Sequence, residues 1–182
     1  MATNDEFWER RNSLNNDFFV VGSRDHPATE EQISVYEKAS GYNFNGEFKE
    51  FLTTYGSLVF EVKAEIWRRP ERLEVLPVWK YEYGFMVFGM AQDKEMPYWM
   101  TFESKNREAL KYNPNPPGQM FFKCNGKRYR AYVKNDEIIT EYSKYDASDT
   151  EVFSGNLYDF LIKEIDKLEE YYRQMLSENI KG

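Results

Sequence analysis

The chain has 182 residues, 41% hydrophobic and 30% charged: enough for one well-cored domain, too few for two without a visible linker. Its formal net charge of -7 argues against nonspecific binding to nucleic acid or an anionic membrane, since both need an excess of Lys and Arg. A single cysteine, Cys124, excludes an internal disulfide and a cysteine-built zinc site.

Residues 5–14, DEFWERRNSL, read as a short helix that turns Phe7, Leu14 and Trp8 toward the body, followed by the apolar run FFVVG ending at Gly22. Charges stand in this stretch where a secretory signal needs an apolar run, and no later segment has the length of a membrane span. A soluble cytoplasmic protein is expected, with residues 1–27 as an extension packing on a domain of residues 28–182.

The segment HPATEEQISVYEKASGY carries helix signals at both ends: Thr29 as N-cap with Gln32 three residues on, acids in the first turn, and Gly41 as stop. Ile33 and Tyr36 are its expected buried positions. A second helix over 46–55, capped by Asn45, places Phe48, Phe51, Leu52 and Tyr55 on one face before Gly56 ends it. In SLVFEVKAEIW, Leu58, Phe60 and Val62 alternate with Glu61 and Lys63 as a half-buried strand requires, with Glu65 placed on the Glu61 face. Pro70 and Pro77 mark the following residues as a connection.

Downstream, GFMVFGM reads as a central strand, PYWMTFES as the next strand and KYNPNPPGQ as a loop. QMFFKCNGKRYRAYVKNDEIITEYS carries a hairpin signal at Asn125-Gly126 and a further turn at Asn135-Asp136. Cys124 reads as a half-buried strand thiol. A long helix starts near Asn156 or Leu157, with Leu157, Leu161, Ile165, Leu168, Tyr172 and Leu176 inward and Lys163, Lys167, Glu170 and Arg173 solvated. These elements make an α+β domain: a mostly antiparallel sheet packed by N-terminal helices and a long C-terminal helix.

The residue types of classical catalysis are sparse. His26, the only histidine, sits in a loop motif, and no glycine-rich phosphate loop, nucleophile elbow or paired metal-binding histidines occur. The expectation is therefore a protein that is not an enzyme and holds no cofactor or metal. Glu61 and Glu65 read as a solvated strand face rather than an acid/base pair. KCNGKRYRAYVK is a basic hairpin whose Lys127, Arg128 and Arg130, with Tyr129 or Tyr132, have the residue types of a nucleic-acid contact; within so acidic a chain it reads better as a solvated outer face. The acidic block NDEIITEYSKYDASDTE that follows has the composition to steer a basic protein partner, or to serve as an exposed soluble loop.

The stretch ATEEQISVYEKASGYNFNGEFKEFLTTYGSLVF resembles the N-terminal hallmark of the SUKH-domain superfamily, which includes fungal cell-wall-assembly regulators and bacterial toxin-immunity proteins. Ile33 stands at the family's buried Ile, Phe44-Asn45 at its Leu-Pro step, EFKEFL at its second helix, and Tyr55-Gly56 at its Asn-Gly entry to the sheet. FMVFGMAQD, with Gly89 and Asp93, is similar to the family strand that ends before an acidic turn, and NLYDFLIKEI, with Leu157, Phe160 and Leu161, to its closing helix. The likeness spans about Ala28 to Ile165. It departs from the family where Asn45 replaces the proline and QDKEMP replaces the glycine-rich turn.

The resemblance implies a SUKH-like domain that binds a protein: an immunity protein that occludes the active site of a cognate polymorphic or contact-dependent toxin, or alternatively a regulatory scaffold module. The implied partner is a protein toxin domain, such as a basic nuclease, with no direct nucleic-acid or membrane contact and a monomer or weak homodimer as the assembly. The expected partner face combines Glu61, Glu65, Asp93 and Trp99 with the acidic segment Asp136, Glu137, Glu141, Tyr142, Asp146, Asp149 and Glu151.

Overall fold

The computed structural model describes residues 1–22, 24, 27–44, 46–71, 74, 76–90, 97–125, 129–143 and 148–179, and of residues 112, 143, 148 and 179 the backbone alone. Seven strands form one antiparallel sheet in chain order: β1 (Phe18–Val21), β2 (Leu58–Val62), β3 (Gly84–Val87), β4 (Gln119–Cys124), β5 (Tyr129–Lys134), β6 (Glu137–Ser143) and β7 (Ser148–Val152). Helices α1 (Asn4–Asn12), α2 (Glu30–Ser40), α3 (Gly46–Thr54), α4 (Phe102–Tyr112) and α5 (Leu157–Asn179) complete a single α+β domain.

The helix ends follow the local chemistry. Thr29 and Gln32 form a reciprocal capping box at the start of α2, and Gly41 closes it in the left-handed conformation at φ 74°. Thr3 and Glu6 do the same for α1. At α5, Asn156 and Asp159 exchange side-chain and backbone bonds at 3.1 and 2.8 Å, while Glu47 accepts the Leu157 N–H at 3.1 Å. The start of α5 is thereby tied to α3.

One sheet face carries Phe18, Phe60, Val62, Phe85, Val87, Phe122, Ala131 and Ile138, all buried in one core with α3 and α5. Across this face Phe160 meets Phe121 and Phe122 at 5.7 and 5.1 Å, and Tyr172 meets Phe18 at 5.1 Å. The β4–β5 register shifts between Met120 and Phe122, a bulge that lets two successive phenylalanines both reach Phe160. Phe7 of α1 is fully buried in the same core and β1 is the sheet's first strand, so the first 21 residues supply both a helix and a sheet edge.

Several expectations are corrected. PYWMTFES is a short 3-10 turn (Tyr98–Met100) followed by α4, because Thr101 caps the Ser104 N–H and Phe102, Asn106 and Ala109 recur on one helical face. The helix runs to Tyr112, into the stretch read as loop. Asn106 then hydrogen-bonds the backbone of Met120 in both directions, at 2.7 and 3.0 Å. The acidic residues 148–152, whose composition also fits an exposed loop, form β7. Cys124 is buried, Tyr36 is half-buried with its hydroxyl donating to Gln119, and on α5 Met175 is buried where Leu176 is exposed. His26, the Asn45 cap, Gly126, Lys127 and Arg128 lie outside the described residues.

Candidate protein-binding surface

The site begins with a turn. Asn135 and Asp136 both have positive φ, 51° and 63°, and Lys134 pairs with Glu137, so a tight two-residue hairpin joins β5 to β6. β6 then alternates: Ile138 and Thr140 are buried toward the helix layer, Ile139 is half-buried on the opposite face, and β7 pairs alongside with Tyr142 opposite Asp149 and Thr140 opposite Glu151. Asp149 and Glu151 therefore share the helix-side face with Tyr142, all three exposed. Val152, 62% exposed, lies on the other face.

Tyr142 is braced rather than loose, with its ring 4.5 Å from that of Tyr129. Partial burial pushes its hydroxyl above the usual tyrosine range. Asp136 lines a hollow of about 220 Å³ shared with Gly46, Phe48, Val133, Ile138 and Leu157, which places the acidic turn beside the starts of α3 and α5. The β6–β7 ribbon thus presents Tyr142, Asp149 and Glu151 on one face, with Asp136 in the turn at its far end and Glu137 exposed on the opposite face.

The remaining expected site residues do not join them. Glu141 is buried on the opposite face, where it accepts the Tyr132 hydroxyl at 2.6 Å and lies 3.7 Å from Arg130. Burial and this carboxylate push the Tyr132 hydroxyl up to about 12. Glu61 is half-buried, 3.2 Å from Arg69 and accepting a bond from Asn125, so it is a structural partner of the connection after β2. Glu65 lies in the turn beyond the end of β2 and is exposed, not on the Glu61 strand face. Trp99, 56% exposed, sits on the 3-10 turn with Lys105 Nζ 5.6 Å from its ring. Asp93 and Asp146 lie outside the described residues.

Tyr129 and Tyr132 are both buried, which removes the aromatic platform from a nucleic-acid reading of the basic hairpin. Lys167 also departs from expectation: it is 3.1 Å from the buried Glu82 and lies under the helix rather than on its solvated face. Among the described residues no group of three His, Cys, Asp or Glu is arranged to hold a metal ion, and no helix is long and apolar enough to cross a membrane.

Sequence reasoning missed Thr150 and Val152 as surface elements of a strand. The signal was faint, because in SDTEV a single apolar residue stands among polar ones and the alternation has no hydrophobic half. No protein-family model and no curated protein matches the chain.

Proposed function

We propose that the protein is a cytoplasmic immunity protein that binds a bacterial toxin domain and neutralises it by covering its active site. The observation that carries this reading is the β6–β7 ribbon, which gathers exposed carboxylates and a braced tyrosine on one face. Such a surface steers a basic partner electrostatically, and the tyrosine supplies rigid contact area at low entropic cost. The SUKH resemblance of residues 28–165 supports the same class of function, and the net charge of -7 suits a basic toxin such as a nuclease. Opposed to a nuclease, the carboxylates would stand where nucleic-acid phosphates bind.

The test is affinity capture from a lysate of the source organism followed by co-expression of the captured polypeptide. Recovery of one stoichiometric toxin-like chain, whose growth inhibition this protein relieves, supports the reading. Recovery of cell-wall synthesis proteins or kinases instead favours the regulatory scaffold module.

A further inference from the structure

Among the described residues no strand lies beside the outer side of β7: β7 ends the sheet order and its pairing is with β6. The Phe153 N–H donates to the Ile138 carbonyl at 2.8 Å, which fixes the phase of the antiparallel ladder. By its alternation, the backbone groups of Glu151 and Asp149 turn toward β6, and those of Val152, Thr150 and Ser148 turn outward. The free edge therefore offers three residues' worth of N–H and C=O groups, flanked on the helix side by Asp149 and Glu151 and on the other by Val152.

We propose that this edge receives an extended segment of the partner as an eighth strand, and that the segment carries Lys or Arg at alternate positions. This deepens the protein-binding reading and rests on it. The occupant follows from the charge. On the outer edge Asp149 and Glu151 occupy non-hydrogen-bonded positions, where an opposing residue comes closest, about 4.5 Å between Cα atoms. Opposite charges there stabilise the pairing and like charges oppose it.

A second copy of this chain is disfavoured by the same arithmetic. Antiparallel self-pairing centred on Thr150 sets Asp149 of each chain against Glu151 of the other, two like-charge contacts on a five-residue strand. Acids on an exposed edge are a common device against self-association. They leave the edge open to a basic strand, whose backbone supplies affinity while its alternate side chains supply selectivity. Val152, opposite an outward position, gives the incoming strand an apolar contact on its second face.

The probe is a synthetic peptide, acetyl-Thr-Lys-Val-Lys-Val-Lys-Thr-amide, titrated into the full chain at low salt by isothermal titration calorimetry. Its controls are the same peptide with Glu for Lys and one N-methylated at the valines, whose amides face the outward carbonyls of β7. The lysine peptide is expected to bind, the Glu peptide not to, and N-methylation to weaken binding about tenfold or more. Thr150→Pro removes an outward N–H at a position where an edge strand tolerates proline, and is expected to weaken binding while Thr150→Ala keeps it. No binding at about 1 mM peptide, equal binding of the Glu peptide, or indifference to N-methylation overturns the proposal. Those failures leave the toxin-binding reading to the capture and co-expression experiment, which does not depend on the edge.

Discussion

Lys167 Nζ lies 3.1 Å from Glu82 Oε2 beneath α5, and that buried oxygen is held by the lysine's charge rather than by a well-aligned hydrogen bond. Glu164, one turn earlier and 4% exposed, accepts the Tyr129 hydroxyl at 3.0 Å. Burial pushes the Glu164 carboxyl above the usual range, opposed by the nearby Lys167, while Lys167 itself is raised because both acids outweigh its own burial. Two acids and one cation thus share the space between α5 and the sheet. Lys167→Met removes the only cation of this trio, so it is expected to cost about 3–5 kcal/mol in urea unfolding. A loss below about 1 kcal/mol would show that the trio is solvated like a surface pair.

The N-terminus depends on Asp159. Its carboxylate accepts N–H bonds from Asn156 at 3.1 Å and Ala2 at 2.8 Å, and these bonds, the Asn156 one foremost, hold it below the ordinary 3.8. A depressed folded-state pKa gives stability that is present above 3.8 and lost as pH falls through the folded value. Asp159→Asn is therefore expected to be less stable than the parent at pH 6, with the gap closing as pH falls below 3.8. Thermal melts across that range check it; a gap that stays constant with pH would assign the loss to geometry rather than charge.

Gly84 opens β3 against β2. A Cβ there would come within 2.4 Å of the Phe60 carbonyl oxygen and 2.9 Å of the Glu61 Cα, both backbone atoms that cannot swing aside. Gly84→Ala must push the two strands apart where Phe60 and Phe85 stack at 4.7 Å. The expected cost is about 1–3 kcal/mol, read from chemical denaturation. A neutral effect would mean that the β2–β3 ladder yields without loss.

The readable parts of the chain were those with strong local chemistry. The caps at Thr29 and Gly41, the buried Phe48, Phe51, Leu52 and Tyr55, the turn at Asn135-Asp136 and the periodic α5 all stand where the residues imply. The strand misread at PYWMTFES is instructive, because aromatic enrichment suggested a strand while the decisive features were the Thr101 cap and the Asn106 bonds to β4. Those bonds span 14 positions and leave no periodic trace. Of the expected site, Tyr142 and the β7 carboxylates Asp149 and Glu151 share one face, while Glu61 and Glu141 are engaged by Arg69, Asn125, Tyr132 and Arg130. Net charge cannot distinguish an exposed carboxylate from one buried within the sheet's other face.

That distinction yields the last prediction. Asp149→Lys with Glu151→Lys reverses the charge of the exposed edge, and is expected to lower the association rate with the captured partner about tenfold or more at low salt, with a smaller effect at high salt. Folding stability should change little, since both side chains are exposed. Glu141→Ala should behave in the opposite way: it leaves the Tyr132 hydroxyl, 2% exposed as a residue, without its acceptor, at about 1–3 kcal/mol of stability, and leaves association near the parent rate. Stopped-flow association combined with urea unfolding separates the two. An unchanged rate for the double reversal at low salt would remove the ribbon as the docking surface, whereas slow association in Glu141→Ala would move that surface to the opposite face of the sheet.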